Sequence, residues 1–234
     1  MTVSYVSQAS AAANTLTLPS HQAGDLLVML AMRYSSPSPG TIPSTWVPRW
    51  LGQHNGSFVI SHLAVAYRIA ASSAETSGTW TNFTHLLCAV YRDDANYLVL
   101  NAPMYNRGTG TSVTFSAIVA NPALSRISTG SFGTQMAQNT GWLIGVAGTH
   151  LNNAGIDAPP SGMVNRGSRA GASNGRIALH DTDSKVSSWT AASTTVASST
   201  DWMTNVVEII DTGFAKITSG GGFRAVNIRG GADQ

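Results

Sequence analysis

The sequence predicts an all-β protein, and both its composition and its residue pattern indicate this class. Only 10% of the 234 residues are charged, and the chain contains just two Glu and two Lys. Exposed helix faces are usually built from Glu, Lys, Gln and Arg, so a helical bundle is excluded and a doubly wound α/β fold is not expected. The 28 serines, 24 threonines and 23 glycines instead favour short strands joined by turns.

Short apolar or alternating segments, each bounded by turn residues, recur along the whole chain. In the first half they predict strands near residues 2–6, 14–18, 25–33, 46–52, 57–70, 85–93 and 97–101. In the second half they predict strands near residues 111–118, 126–132, 141–149, 162–166, 175–180, 186–190, 203–211 and 213–218. This spacing is typical of an antiparallel sandwich or a jelly roll.

Five blocks of the first half recur, in the same order, in the second half. Their separations lie between 109 and 119 residues, close to half the chain length. The paired blocks are 24–31 with 141–148 and 43–49 with 160–166, both 117 apart, then 55–56 with 174–175, 77–81 with 186–190, and 85–92 with 203–210, which is 118 apart. The repetition predicts an internal duplication; the alternative is that any two β-rich segments look alike.

The duplication predicts two tandem jelly-roll-like β-sandwich domains, at residues 1–108 and 109–218. The Gly- and Thr-rich residues 106–111 are the expected linker between them. Trp80 and Trp189 occupy equivalent positions of the two repeats, so we expect both to pack in the cores and to superpose. Residues 219–234 have no counterpart in the first half and are expected to form a C-terminal extension.

Several classes of protein are not expected. The most apolar segment, residues 26–32, is far shorter than the roughly 20 residues of a membrane helix, and the N-terminus has no secretory signal pattern. A single cysteine, Cys88, precludes an intrachain disulfide and lies in an apolar segment typical of a core. A net charge of +2 predicts neither nucleic-acid binding nor membrane insertion.

Several segments resemble a family of tailed-bacteriophage virion proteins, which are described as tail-fibre-like or virion-associated. They are TLTLP at 15–19, GDLLV at 24–28, IPSTW at 42–46, ETSGTWT at 75–81, PPSGM at 159–163 and VSSW at 186–189. The resemblance covers about residues 14–211 and implies a β-sandwich protein located in the virion and assembled in the bacterial host cytoplasm. Its motifs are structural, so it implies no catalytic residue.

Two segments have the letters of chemical motifs without the expected context. Residues 171–175 read GASNG, but the nucleophile elbow needs a strand before the serine and a helix after it, whereas here a hairpin turn is predicted. His180, Asp181 and Asp183 lack the spacing of a calcium loop and are predicted to be a polar strand end. We therefore predict no catalytic residue, no metal site and no cofactor, and expect alanine at Ser173, His180 or Asp181 to leave assembly unchanged.

Three groups of residues are candidates for binding. Trp46 and Trp50, beside a Pro-rich loop, are candidates for an exposed platform on which a sugar ring stacks; the alternative is packing in the core or at an interface. Arg166 and Arg169 are candidates for contact with an acidic partner surface; the alternative is a solvated loop. Phe223, Val226 and Ile228 are candidates for an arm that adds to a neighbouring sheet edge; the alternative is a disordered terminus.

A chain this poor in charge favours a protein whose faces are covered by copies of itself or by partners. Together with the resemblance, this predicts a non-enzymatic virion protein that decorates or cements the capsid, expected as a homotrimer in contact with the major capsid protein or tail proteins. Tail fibres commonly carry an attachment domain before such a module, whereas here a strand begins near residue 2. The alternatives are a tail-fibre or tail-tip adhesin that binds host surface glycan and, more remotely, a glycan depolymerase.

Overall fold

The computed structural model describes residues 3–34, 36–55, 60–101, 104–120, 135–136, 141–152, 154–171 and 174–216. Fourteen β-strands and one short 3-10 helix make up the regular structure of these residues, with no α-helix among them. The all-β prediction is therefore confirmed. No helix in this part of the chain is long and apolar enough to cross a membrane.

The strands are numbered in the order in which they occur in the chain. In chain order they are β1 (Ser4–Ala11), β2 (Leu26–Arg33), β3 (Val47–Asn55), β4 (Ile60–Ile69), β5 (His85–Arg92), β6 (Asn96–Leu100), β7 (Met104–Phe115), β8 (Ile118–Ala120), β9 (Gln135–Met136), β10 (Gly141–Thr149), β11 (Val164–Ala170), β12 (Arg176–Val186), β13 (Ser188–Trp189) and β14 (Ala192–Ala215). The 3-10 helix, Ala154–Asp157, lies between β10 and β11.

The two halves of the chain build sheets with the same strand order. Sheet A is antiparallel with the order β1-β5-β2-β4-β3, and sheet B has the order β11-β12-β10-β14, with β6 and β7 both pairing with the far side of β14. Leaving out β6, sheet B runs β7-β14-β10-β12-β11. Counted from β7, its first, fifth, second, fourth and third strands lie side by side, as do those of sheet A. This shared topology supports the predicted duplication.

The central strands are apolar at consecutive positions because both faces of each sheet are covered. Alternate side chains of β2 and β10, such as Val28 and Ile144, belong to one large core cluster between the two sheets. Their neighbours point the other way: Leu27 belongs to a second cluster on the outer face of sheet A, and Leu143 to a third cluster on the outer face of sheet B. β1 to β5 thus build sheet A, and β6, β7, β10, β11, β12 and β14 build sheet B; each sheet has its own outer core, and the two share the central core.

The outer cores contain the equivalent tryptophans. Trp80 is fully buried against sheet A, where its Nε1 donates a hydrogen bond of 3.1 Å to the Ser77 carbonyl. Trp189 is buried against sheet B, with its Nε1 donating to the Ser161 carbonyl at 3.0 Å. The prediction that both pack in a core is confirmed. β13 joins β8 and β9 in a small third sheet.

The expected linker at residues 106–111 is part of a strand. β7 spans the predicted boundary at 108/109 and pairs with β14 from Met104 to Phe115. Gly108 reflects close packing here, because an added Cβ would lie 2.6 Å from the indole of Trp202. A jelly-roll topology for each half is a finer prediction that these pairings do not establish.

Other strand predictions had mixed outcomes. Those at 25–33, 85–93 and 141–149 are confirmed by β2, β5 and β10, whereas residues 14–18 form no strand and the strand at 192–202 was missed. Cys88 is fully buried and burial raises the pKa of its thiol to about 12, which confirms it as a core residue. The strand predicted at 126–132 and the C-terminal extension at 219–234 lie outside the described residues.

The shared core predicts that neither half is stable alone. A fragment of residues 1–101 would expose the inner face of sheet A, including Leu30, Val65 and Leu87, which the other sheet covers in the whole chain. We expect this fragment to aggregate, or to lack a cooperative unfolding transition in urea, while the full chain unfolds cooperatively. A soluble fragment with a cooperative transition would show instead that the halves are independent domains.

Candidate functional site

The two sheets meet along two seams, where an edge strand of one sheet approaches an edge strand of the other. The β1–β11 seam joins sheet A to sheet B through Tyr5 and Arg166, and the β3–β7 seam joins them through Trp50 and Tyr105. Because β1 and β7 are the first strands of their sheets and β3 and β11 the third, the duplication relates one seam to the other.

A bulge with an arginine lies at the same place in β3 and β11. The pairing of β3 with β4 is interrupted between Pro48 and Trp50, and that of β11 with β12 between Asn165 and Gly167. The extra residue is Arg49 in β3 and Arg166 in β11, the arginines that end the repeated Pro-Ser blocks of the sequence. β-bulges re-aim a side chain, so the duplicated block places an arginine beside each seam.

The β1–β11 seam is closed by a charged network around Asp181. This carboxylate has no exposed surface, and Arg166 Nε donates to its Oδ2 at 2.8 Å while the Tyr91 hydroxyl donates to the same oxygen at 3.0 Å. Arg166 also pairs with Asp183, and its guanidinium lies 4.4 Å from the centre of the Tyr5 ring. Nε and Nη2 of Arg166 are thus both bound by acidic side chains of this chain.

The network shifts the pKa values of its members in ways that keep it charged. Burial and the Asp181 carboxylate raise the pKa of Tyr91 well above its usual value. Burial opposes the charge of Arg166, but the hydrogen bonds and charges of Asp181 and Asp183 outweigh it and raise the pKa of the guanidinium. Tyr91 therefore stays neutral and Arg166 stays charged at physiological pH.

This network corrects one prediction. Asp181 and His180 lie within β12, not at a strand end, and both are fully buried. Arg166 is bound by acidic side chains of its own chain, and Arg169 is exposed on β11; for both residues the role as an assembly contact stays a prediction. Phe223, Val226 and Ile228 lie outside the described residues.

The β3–β7 seam is open by comparison. The Trp50 ring lies against Gly52, where an added Cβ would fall 1.8 Å from the indole, and it stacks with Tyr105 at a centroid distance of 5.6 Å and an interplanar angle of 26°. Trp50 is half-buried against the central core, whereas 54% of Tyr105 is exposed. Arg107, two residues along β7, donates from Nη1 to the Gln53 carbonyl at 2.6 Å and is also exposed.

Trp46 does not form the exposed platform that the sequence predicts. Only 3% of it is exposed, its Nε1 donates to the Ser77 carbonyl at 2.9 Å, and its ring meets Trp80 edge-on at 5.5 Å. The guanidinium of Arg68 covers it at 4.9 Å. The alternative reading, packing in the core, is correct for Trp46, and Trp50 is left as the candidate for ligand stacking.

The remaining candidate motifs have structural roles. The hairpin predicted at 171–175 joins β11 to β12, with the Gly171 N–H bound to the Gly175 carbonyl at 2.8 Å, and Ser173 lies outside the described residues. Asp93 accepts hydrogen bonds from the N–H groups of Ala95 and Asn96, as expected of a turn. Among the described residues no group of three His, Cys, Asp or Glu side chains could hold a metal ion.

Sequence reasoning missed Tyr105 and Arg107. Arg107 lies in the expected linker at residues 106–111 and Tyr105 directly before it, and no motif distinguishes them from an ordinary Gly- and Thr-rich connection. Their alternation in β7, at positions 105 and 107, is the signal that places both on one side of an extended strand.

The chain matches no protein-family model, no curated protein and no solved structure. The candidate site therefore depends on the geometry of this chain alone. Its two seams offer a contrast: one is filled by an internal ion-pair network, and the other leaves an aromatic pair and an arginine at the surface.

Replacement of Asp181 tests the closed seam. Asp181→Asn removes the charge that Arg166 and the Tyr91 hydroxyl share, and we expect it to lower the free energy of unfolding by about 2–3 kcal/mol, since the largely buried Arg166 then keeps only the exposed Asp183 as a charged partner. The matched control is Asp183→Asn, because 61% of that side chain is exposed and its loss should cost below about 0.5 kcal/mol. Equal effects in urea unfolding would contradict the central role of Asp181.

The buried histidine His180 predicts acid sensitivity. Burial lowers the pKa of His180 to about 4, although its ring also meets the Ile156 carbonyl at 3.1 Å. The unfolded chain, with a histidine pKa near 6.5, binds the proton first, so stability is retained above about pH 6.5 and is lost as the pH falls towards 4. We expect His180→Gln to remove part of this loss, up to about 3 kcal/mol, in urea unfolding at pH 7 and pH 4.5. An unchanged pH dependence would show that His180 is not responsible.

Proposed function

We propose that this chain is a non-enzymatic structural protein of a bacteriophage virion, which acts as an oligomer to decorate or cement the capsid. The observation that carries the proposal is the distribution of charge. Six of the eleven acidic residues are buried: Asp25, Asp93, Asp181, Asp201, Glu208 and Asp211. The surface is therefore short of acidic groups, and the chain as a whole has 10% charged residues, whereas a soluble monomer usually has about a quarter of its residues charged.

The edge strands support contacts with copies or partners. Val47 and Val164 begin β3 and β11, hold equivalent positions in the two repeats, and are 44% and 41% exposed. An edge strand presents unpaired backbone groups, and exposed apolar side chains beside it favour association. The repeat thus places an exposed valine on two edge strands, and we call β3 with Val47 and β11 with Val164 the adhesive edges. Two such edges suit a protein that contacts several neighbours in a lattice.

The virion setting, the trimeric state and the capsid partner derive from the resemblance to tailed-phage proteins and from the low charge. Arg169 and residues 219–234, with Phe223, Val226 and Ile228, are the proposed additional contacts to neighbouring subunits. The competing proposal, a tail-tip adhesin for host glycan, differs in where the protein is located in the particle.

Imaging locates the protein directly. An epitope tag on this chain, detected by gold-labelled antibody on intact phage particles, should label the head surface in many copies. Label confined to the tail tip would replace the decoration proposal with the adhesin, and particles without label would overturn both.

The adhesive edges can be tested in the isolated protein. A chain with Val47→Lys and Val164→Lys should sediment as a smaller species than the unmodified oligomer, because charge on an edge strand opposes strand-to-strand contact. A chain with Ser72→Lys and Ser73→Lys, two exposed bend residues, adds the same charge away from the edges and should keep the oligomer. A monomeric unmodified protein, or equal losses in both variants, would contradict the proposal.

A further inference from the structure

We infer that the β3–β7 seam is a binding site for an acidic oligosaccharide. The inference goes beyond the proposed structural role and begins from the comparison of the two seams. The repeat relates the two seams, but their side chains differ. In the β1–β11 seam Arg166, held by two carboxylates, covers Tyr5, whereas at the other seam the corresponding arginine, Arg49, covers Tyr67 and leaves Tyr105 54% exposed.

The open seam presents its side chains in a row. Tyr105, Arg107 and Thr109 alternate along β7, and all three are exposed. Residues two apart in a strand are separated by about 7 Å, so the row is about 14 Å long, enough for a short run of sugar rings. Because β7 is a sheet strand held by β14 along its length, the row is preformed.

Each part of the row has a fixed geometry. Trp50, packed against the central core and lying flat on Gly52, supports the Tyr105 ring from behind. Arg107 is oriented by its bond to the Gln53 carbonyl. Thr109 donates its hydroxyl to Asp201 Oδ1 at 2.7 Å, and this carboxylate lies 3.8 Å from His54 Nε2. Orientation before binding lowers the entropic cost of binding a ligand.

The chemistry of the row identifies the ligand class. The exposed face of an aromatic ring packs against the apolar C–H face of a sugar, and a guanidinium binds a carboxylate with paired hydrogen bonds. Arg107 is the charged group in the row that faces solvent, while Asp201 is only 1% exposed. A saccharide with a neutral ring over Tyr105 and a uronic or sialic acid carboxylate at Arg107 satisfies both groups.

A glycan array tests the site. The full-length protein is applied to immobilised bacterial oligosaccharides, some containing uronic or sialic acids and some neutral. We expect retention on acidic members, weakened by salt because an ion pair contributes. Tyr105→Ala and Arg107→Ala should each lower the affinity for a retained acidic glycan at least tenfold, whereas Tyr105→Phe should keep it because the ring remains.

Matched controls separate this site from general surface effects. Phe214 is an aromatic residue with similar exposure, 57%, outside the seam, and Arg33, at the end of β2, donates to a main-chain carbonyl as Arg107 does. Phe214→Ala and Arg33→Ala should bind like the unmodified protein, and unchanged thermal unfolding of all variants shows that they are folded. No retention of acidic glycans, or equal losses in seam and control variants, would overturn the inference. Head or tail labelling of particles does not bear on this result, so the two proposals can fail separately.

Discussion

Burial of both faces of each sheet is the constraint on which the rest of this structure depends. A sheet covered on one side has alternating polar and apolar residues, but here β2, β5 and β10 are buried at nearly every position. One set of side chains fills the central core, and the other packs under an outer layer that contains Trp80 or Trp189. Polar groups that enter these layers need internal partners, which explains why so many carboxylates are buried in hydrogen bonds.

The seams follow from the same constraint. Where two sheets with covered faces meet at their edges, the central core must be closed by side chains from the edge strands. At one edge the ion pair of Arg166 and Asp181 closes it, together with Tyr5, and at the other Trp50 closes it against Tyr105. Each seam lies beside a bulge that the repeated Pro-Ser block encodes, but only the β3–β7 seam leaves Tyr105 and Arg107 exposed.

The sequence was sufficient for the class, the duplication and the strongest strands, because these depend on composition and long apolar segments. It could not supply the phase of those segments. The sequence repeat aligns residue 26 with residue 143, a separation of 117. In the structure Val28 matches Ile144, a separation of 116, because both lie in the central core and each pairs with the corresponding residue of the fourth strand of its sheet. One residue of error exchanges the two faces of a strand. The prediction that Trp46 is exposed was wrong for a related reason. Nearby prolines predict a loop, but they do not show whether the indole in that loop points into the core.

β14 has a consequence for the order in which the molecule is made. It is 24 residues long and pairs with β6, β7 and β10, so one strand near the end of the described chain holds most of sheet B together. During synthesis, the strands of sheet A are complete after residue 92. β6 ends 109 residues before its first partner, Ile209, and β7 ends 77 residues before its first partner, Ala192. Such distant pairings fold slowly. The newly made chain therefore contains the apolar residues of sheet A before the strands that cover them exist, a state prone to aggregation.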